Sequence, residues 1–217
     1  MIAAPDLRFE YRLQAQGYRC VAGLDEAGRG AWAGPVVAGA VVLPVERFDL
    51  ARALDGVNDS KQLSRAAREA LLPRILAAAR ATGVGHATHA EIDRLGIVPA
   101  TRLAMRRALE ALATPPDALL VDALDVSEFG LPYTSLIRGD QRSLSIAAAS
   151  ILAKVVRDQF MDALDEQFPQ YGFREHKGYG TGLHRSALRQ FGPCPAHRLS
   201  FAPLRAEPAP SPGATEP

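Results

Sequence analysis

The sequence of 217 residues contains only two cysteines, Cys20 and Cys194, which are too far apart for a CxxC motif or a zinc-ligand pair. This excludes a disulfide-rich secreted scaffold and a zinc-finger protein. No apolar run is long enough to span a membrane, and residues 1–10 lack the apolar core of a signal peptide. We therefore expect a protein of the reducing cytoplasm with no membrane partner.

The chain also has little net charge and little lysine. Its formal net charge is +1, so no global basic signal indicates nucleic acid. Only three of the 25 basic residues are lysines, at positions 61, 154 and 177. A lysine ammonium is a compact charge, whereas the arginine guanidinium is a planar fork. In a chain that otherwise uses arginine, each lysine therefore indicates a site where a compact charge is required. Residues 171–205 carry six basic residues against one glutamate, which fits either phosphate contacts or a solvated helical face.

Residues 20–44 combine two apolar, β-rich runs with an acidic turn that contains glycine. The runs predict a hairpin whose first strand ends on Asp25 and Glu26. Adjacent carboxylates repel each other, and an Asp-Glu pair is most often a solvated turn. Here Gly28 and Gly30 follow, and they allow backbone amides to approach a ligand with no Cβ in the way. Carboxylate oxygens suit Mg²⁺ or Mn²⁺, so we interpret the turn as a metal site.

A dinucleotide-binding interpretation of these glycines fails. Gly28, Gly30 and Gly34 have a last spacing one residue too long for the GxGxxG fingerprint. Residues 35–42 are strand-like, whereas the fingerprint needs a helix N-terminus to hold the pyrophosphate. The sequence also contains no GxxxxGK[ST] motif, which excludes a P-loop site.

Two further acids follow predicted strands. An apolar strand at residues 117–121 ends on Asp122, and a strand at residues 133–138 is followed by Gly139 and Asp140. Open α/β sheets place function at the carboxyl ends of strands, so we expect both acids to meet the Asp25–Glu26 pair at one edge. Four carboxylates without histidine or cysteine indicate two hard cations and phosphoryl-transfer chemistry.

Asp158 competes with Asp140 for the place of the fourth acid. Residues 143–168 form the longest predicted helix, and Asp158 would lie roughly 20 Å from its start at ~1.5 Å per residue. If the helix N-terminus faces the metals, Asp158 cannot reach them. We therefore assign Asp158 to a structural ion pair or to hydrogen bonds with the C-terminal segment. The alternative for Asp140 is a cap or turn aspartate ahead of the helix.

The remaining elements are predicted from periodicity and turn residues. Residues 65–81 form a helix capped by Ser64, residues 84–89 a third strand, and residues 90–95, 99–113 and 183–191 helices. Residues 1–19 form a short helix or irregular lead-in, and residues 45–57 a loop. Strands and helices in this mixture, with acids at strand ends, predict an α/β domain with a mixed sheet.

These residues together resemble the ribonuclease HII family, the type 2 ribonucleases H. Seven motifs occur in the family's order, at residues 25–30, 58–61, 121–122, 139–140, 146–154, 176–181 and 197–201. All three lysines lie within these motifs, and the resemblance covers roughly residues 19–201. It implies an RNase H-like mixed β-sheet flanked by helices, in one domain at residues 1–205. A helical C-terminal part from about residue 169 and a disordered tail at residues 206–217 complete the expected organisation.

The resemblance implies a metal-dependent endoribonuclease that cuts the RNA strand of RNA–DNA hybrids. It also implies incision on the 5′ side of single ribonucleotides embedded in duplex DNA, with 3′-hydroxyl and 5′-phosphate products. The expected enzyme is a monomer whose partners are the RNA–DNA hybrid and ribonucleotide-containing duplex DNA. Its cofactors are Mg²⁺ or Mn²⁺, two ions during catalysis.

The resemblance further implies a role for each site residue. The expected catalytic metal ligands are Asp25, Glu26, Asp122 and Asp140. The residues expected to read the ribose 2′-hydroxyl are Gly28, Arg29 and Gly30. Lys61 would contact phosphate, and Tyr179 would stack on the neighbouring deoxyribose. The 2′-hydroxyl distinguishes RNA from DNA at a single nucleotide, so close-approaching amides explain the glycines.

Two departures from the family pattern affect local loop shape, namely Ala31-Trp32 after the glycine turn and Ala123 after Asp122. Two other function classes compete with the resemblance. A non-catalytic hybrid-binding module would lack at least one of the four acids. Another two-metal nuclease, such as a junction resolvase or an exonuclease, would have no reason to keep the glycine-arginine-glycine turn or Tyr179.

Overall fold

The computed structural model of the chain describes residues 4–205. Its strands are β1 (Val21–Ala27), β2 (Val36–Val42), β3 (Ala81–Ala87), β4 (Ala118–Asp122) and β5 (Tyr133–Leu136). They form one sheet in the order β3-β2-β1-β4-β5. Strands β1, β2 and β3 pair antiparallel, whereas β4 pairs parallel with both β1 and β5. The predicted mixed sheet is confirmed.

Helices flank this sheet and form the C-terminal part of the described chain. They are α1 (Arg8–Ala15), α2 (Leu50–Ala53), α3 (Arg65–Ala78), α4 (His89–Leu95), α5 (Ile97–Glu110), α6 (Leu144–Gln167), α7 (Phe173–His176) and α8 (Gly182–Phe191). Short 3₁₀ turns occupy Ser127–Phe129, Gly139–Gln141 and Pro169–Tyr171. None of the helices within residues 4–205 combines the length and apolar character that a membrane crossing requires.

The two faces of the sheet pack on different helices. Side chains alternate along a strand, so Leu24 of β1 packs in one core with Met105 of α5. Its neighbours Gly23 and Asp25 face α6 instead, and a Cβ at Gly23 would lie 2.5 Å from the backbone nitrogen of Ile146. Residues 144–153 of α6 are buried throughout, as their apolar sequence predicted. Helix α6 is therefore the central support of the face that carries Asp25.

Some predicted boundaries are wrong, and local hydrogen bonds explain the differences. The third strand ends at Ala87 because Thr88 caps α4: its hydroxyl accepts from the Glu91 amide at 3.2 Å, and Glu91 accepts from the Thr88 amide at 2.9 Å. This strand begins at Ala81, opposite Val42 of β2, so the preceding helix ends at Ala78 instead of residue 81.

One other region contains more helix than the sequence indicated, since the predicted loop at residues 45–57 includes α2. The lead-in contains α1, which confirms the short helix that was one of its two predicted forms. The predicted helix start at Ser64 is confirmed, since its hydroxyl accepts from the Ala67 amide at 3.2 Å. The tail predicted at residues 206–217 lies outside the described residues.

The contact between β1 and α6 gives a stability prediction. Gly23→Ala places a methyl group against the backbone of Ser145 and Ile146, which cannot rotate away. We expect a loss of about 2–3 kcal/mol in the free energy of unfolding, the usual cost of overpacking. A melting curve measures it. Gly182→Ala is the matched control, because a Cβ there meets no atom within 4 Å at the start of α8. Equal melting temperatures for the two variants would contradict the packing.

Candidate active site

The parallel register of β1 and β4 brings two acids together. Leu24 pairs with Val121, so the next residues, Asp25 and Asp122, lie side by side. Asp140 lies in the 3₁₀ turn before α6, and this turn is tied to β4 because the Gly139 amide donates to Asp122 Oδ1 at 2.6 Å. One carboxylate oxygen each of Asp25, Asp122 and Asp140 lies within 4.8 Å of the other two. The structure thus gathers three of the four predicted ligands, which we call the acid group.

Glu26 is placed differently from the acid group. Successive strand residues point to opposite faces, so Glu26 does not project beside Asp25. Its Oε1 accepts from Arg29 Nη1 at 3.1 Å. Its Oε2 is buried and has no hydrogen-bond partner among the described residues. A buried, unpartnered carboxylate oxygen at the edge of an acidic site is a free ligand position.

The electrostatics of the acid group favour a cation. Burial, together with the charges of Glu26 and Asp122, raises the pKa of Asp25 well above its usual value. Burial also raises the pKa of Asp140 to about 6, although Lys61 Nζ lies 3.4 Å from its Oδ2 and opposes the shift. Like charges this close are stabilised by a hard divalent cation, which prefers oxygen ligands. The residues present therefore fit a divalent metal site.

Lys61 reaches the acid group from a turn that is fixed by side-chain hydrogen bonds. Asp59 accepts from the Lys61 amide at 2.8 Å and from Gln141 Nε2 at 3.1 Å. Gln141 belongs to the same turn as Asp140, so the two turns hold each other in place. The Lys61 side chain is 71% exposed, and its ammonium group can meet an incoming anion.

The two glycines of the predicted recognition turn have different surroundings. Gly28 has φ +94°, and a Cβ there would collide with the Arg157 guanidinium of α6. Gly30 lies outside the left-handed region, and a Cβ there would meet no atom within 4 Å. The protein itself therefore requires a glycine at position 28 but not at position 30. Arg29, between them, is paired with Glu26.

Tyr179 lies on the loop between α7 and α8 and is 37% exposed. Its ring lies 5.3 Å from the Arg157 guanidinium carbon and 6.0 Å from Lys154 Nζ. Such cation–π contacts hold an aromatic ring in place while leaving other parts of it free. The ring thus presents a fixed, partly open surface.

A cavity of about 500 Å³ connects these features. Its lining includes eight of the nine predicted residues: Asp25, Glu26, Gly28, Arg29, Gly30, Lys61, Asp122 and Tyr179. Asp140 joins it through the acid group. Ser60, Arg68 and Lys154 also line the cavity and were not assigned a role from the sequence. The scarcity of lysine singled out Lys154, but nothing distinguished Arg68 from the other arginines.

Asp158, the alternative fourth acid, is confirmed as a structural ion-pair residue. Its carboxylate accepts from Lys154 Nζ at 2.7 Å and from Arg68 Nη2 at 3.3 Å. It is 4% exposed and does not belong to the acid group. The ion-pair partners come from α3 and α6, so the first of the two predicted roles applies to the side chain. Only the main-chain oxygen of Asp158 contacts the C-terminal segment, at 3.5 Å from Lys177 Nζ.

The two departures from the family pattern have clear local consequences. Ala123 has φ +42°, a left-handed conformation that glycine adopts more easily, so alanine strains the backbone directly after Asp122. Trp32 is not among the residues that line the cavity. Its amide donates to the Gly178 carbonyl at 2.8 Å, and a Cβ at Gly180 would lie 2.2 Å from the nearest atom of its indole. Trp32 therefore supports the loop that carries Tyr179.

A second cleft, of about 610 Å³, lies beside Trp32. Its lining consists of Trp32, Arg185, Leu188, Arg189, Pro193, Ala202, Pro203 and Leu204. This set contains no carboxylate, histidine or cysteine, so the cleft offers neither metal ligands nor a general base. The acid-lined cavity is the candidate reaction centre.

Comparison with known proteins identifies the family. The family model described as Ribonuclease HII matches residues 22–204. The ribonuclease HII of Chloroflexus aurantiacus is 56% identical over 200 residues, which cover 92% of this chain and 94% of that protein. The chain belongs to the ribonuclease HII family. It is thus a ribonuclease H, a hydrolase of a divalent-metal-dependent family that acts on the RNA of RNA–DNA hybrids.

Solved ribonuclease HII structures share the fold. Ribonuclease H2 from Pyrococcus horikoshii OT3 superposes with a TM-score of 0.72 at 29% identity, covering 86% of this chain and 95% of that one. Ribonuclease HII from Archaeoglobus fulgidus, solved as a complex with PCNA, gives a TM-score of 0.71 at 28% identity, covering 88% and 98%. These matches confirm the RNase H-like architecture for this ribonuclease HII.

Substitution of Asp140 tests the acid group. Asp140→Asn should reduce metal-dependent cleavage by orders of magnitude, because an anionic ligand is lost. Its melting temperature without metal at pH 7.5 should equal or exceed that of the wild type, since repulsion is relieved. A carboxyl whose pKa is higher folded than unfolded stabilises the fold at low pH, and this contribution is lost as pH rises through the folded pKa. The wild type should therefore lose stability through about pH 6 and the variant less so.

Asp158→Asn is the matched control for this experiment. It leaves Lys154 and Arg68 without their buried anion, and breaking a buried pair costs about 3–5 kcal/mol. We expect a lower melting temperature with measurable metal-dependent cleavage. If Asp158→Asn abolishes cleavage at an unchanged melting temperature while Asp140→Asn stays active, the two roles are exchanged.

Proposed function

We propose that this ribonuclease HII incises duplex DNA on the 5′ side of a single embedded ribonucleotide, in addition to cutting the RNA strand of hybrids. The observation that carries the proposal is one cavity lined by Asp25 and Asp122 of the acid group, the glycine turn and Tyr179. An acid group alone would serve any two-metal nuclease. Its neighbours in the cavity supply the means to recognise a ribose.

The acid group, with Asp25, Asp122 and Asp140, would hold two Mg²⁺ or Mn²⁺ ions, and Glu26 would add its unpartnered Oε2. Divalent ions bound there supply Lewis acidity, which lowers the pKa of a water molecule and stabilises charge on the leaving oxygen. The carboxylates orient this chemistry, and no side chain is needed as a nucleophile. The products would be a 3′-hydroxyl and a 5′-phosphate.

Recognition of the substrate falls to the other side of the cavity. The open space around Gly30 lets main-chain groups of residues 28–30 come within hydrogen-bond distance of a 2′-hydroxyl. The exposed part of the Tyr179 ring offers a stacking surface for the next sugar. Lys61 carries a largely exposed ammonium group beside Asp140, where it can neutralise a phosphate.

We also infer a cytoplasmic enzyme, because Cys20 and Cys194 are both buried free thiols. The two competing classes predict different substrates. A hybrid-binding module would bind without cutting, and another two-metal nuclease would accept a duplex made of DNA alone.

The deciding assay uses the purified wild type with Mg²⁺ or with Mn²⁺ and three labelled duplexes. These are all-DNA duplex, DNA with one ribonucleotide, and an RNA–DNA hybrid. We expect no cutting of the first, a single incision 5′ of the ribonucleotide in the second, and multiple cuts in the RNA strand of the third. Robust cutting of all-DNA duplex beside an intact ribonucleotide-containing duplex would contradict the proposal.

Gly30→Ala tests ribose reading separately from folding. The added methyl meets no protein atom within 4 Å and the backbone is not left-handed, so the melting temperature should stay unchanged. If the substrate occupies this space, kcat/KM for the ribonucleotide-containing duplex should fall about 10- to 100-fold, the loss of roughly 1–3 kcal/mol of hydrogen bonding. Gly182→Ala, another glycine with open space, is the control. Wild-type rates for Gly30→Ala would show that nothing approaches this position.

A further inference from the structure

Three of the five histidines form a buried cluster that the proposed chemistry does not use. His176 is 7% exposed, His184 0% and His197 1%. The rings of His176 and His184 are stacked with centroids 4.4 Å apart, and His197 lies 5.2 Å from His184. The cluster contacts the loop that carries Tyr179.

The hydrogen bonds of this cluster are consistent with one arrangement of protons. His184 Nδ1 lies 3.1 Å from the Tyr179 carbonyl, which can only accept, so Nδ1 carries the hydrogen. Nε2 of a neutral His184 is then an acceptor, and His197 Nε2, 2.9 Å away, must donate to it. His197 Nδ1 in turn accepts from the Cys194 amide at 2.9 Å. A relay of neutral imidazoles thus connects the C-terminal segment to Tyr179.

His176 holds the same loop in a second way. Its Nδ1 accepts from the Gly178 amide at 3.2 Å, and its Nε2 donates to the Tyr171 carbonyl at 2.7 Å. It is therefore also neutral. Two imidazoles fix the main chain at residues 178 and 179.

The loop needs such support, because its own backbone is strained. Lys177 has φ +51° and Gly178 has φ +80°, both in the left-handed region. This region is unfavourable for a residue with a Cβ, so local preference would turn Lys177 to another conformation. The Tyr179 carbonyl also accepts from the Thr181 amide at 2.8 Å, a bond that is local to the loop. His184 provides the side-chain bond that ties this carbonyl to the buried cluster.

The surroundings keep the relay uncharged. Burial, together with the neighbouring His176 and His197, lowers the pKa of His184 to about 4. Burial also lowers the pKa of His197. Two other groups lie beside the relay, the Cys194 thiol and the Trp32 indole. The thiol lies 3.1 Å from His197 Nδ1, and the Arg185 guanidinium carbon lies 5.6 Å from the indole ring. No carboxylate is among these contacts of the relay, so nothing there would stabilise an imidazolium.

We propose that His184 is a positioning residue for Tyr179, holding its main chain so that the ring stays over Arg157 and faces the cavity. The inference deepens the proposed function and depends on it, because it assigns the stacking role to Tyr179. His184 neither lines the cavity nor belongs to the acid group. Its effect on cleavage must therefore pass through Tyr179.

A double-mutant cycle tests this dependence. His184→Phe keeps an aromatic ring against His176 and Trp32 but removes the donor to Tyr179. On the duplex with one ribonucleotide, Tyr179→Ala should lower kcat/KM about 10- to 100-fold, the worth of one stacking contact. His184→Phe should lower it about 10-fold, and the double variant should be no worse than Tyr179→Ala. Effects that multiply in the double variant would overturn the proposal.

Two amide variants keep the test decisive if His184→Phe does not fold. The amide of His184→Asn lies where Nδ1 lies and can still donate to Tyr179, whereas that of His184→Gln reaches the His197 side. We expect His184→Asn to retain most of the wild-type rate and His184→Gln to lose about 10-fold; equal rates would overturn the role of His184. His86→Asn, outside the cluster, is the control for histidine loss. If the wild type leaves the duplex with one ribonucleotide uncut, the proposed function is wrong. If the wild type cuts it, the double-mutant cycle tests the role of His184 alone.

Discussion

The close approach of three carboxylates, two of them buried and one partly buried, is the constraint on which the rest of the structure depends. Oxygens of Asp25, Asp122 and Asp140 lie within 4.8 Å of one another, and burial and repulsion raise the pKa values of Asp25 and Asp140. Unfolding would separate these charges, so the surrounding fold must supply the stability that keeps them together. The pairing of β1 with β4 fixes the first two acids, and the Gly139–Asp122 hydrogen bond fixes the turn that carries the third. The main chain at the acids cannot move apart without breaking the β1–β4 pairing or this hydrogen bond.

Helix α6 connects the acid group with the expected recognition side. Its first turn packs under Gly23, two residues before Asp25, and its Arg157 fills the space beside Gly28 and under Tyr179. Ser145 and Arg157 are 12 residues apart, about 18 Å at 1.5 Å per residue. A single rigid helix therefore sets the separation between the metal ligands and the stacking surface. Loops that moved independently could not hold this spacing.

The sequence predicted most of the features that depend on residues close together in the chain. Strand patterns ending on Asp25 and Asp122, and a turn ahead of a buried helix at Asp140, were enough to bring these acids to one edge. Contacts between segments far apart in the chain could not be predicted from the sequence. Neither the pairing of Arg68 with Asp158, 90 residues apart, nor the hydrogen bond from His197 to His184 leaves a periodic or spacing signal. Trp32 likewise drew attention only as a departure, and its support of the Gly180 loop needed the fold.

Buried polar groups in this protein are of two kinds, and the difference indicates where a ligand belongs. Asp158 and the histidine relay are satisfied internally, so they stabilise the fold without any ligand. Five buried side-chain atoms lack partners within the described residues, and four of them belong to Glu26, Arg68, Arg157 and Arg198. These four residues line the cavity or contact its glycine turn. The fifth, on Glu10, is the second oxygen of a carboxylate whose first oxygen already accepts three hydrogen bonds. An unpartnered buried group costs about 1–3 kcal/mol. Such atoms, from both acidic and basic residues, are concentrated around one cavity. This arrangement matches a ligand that brings cations and phosphates together.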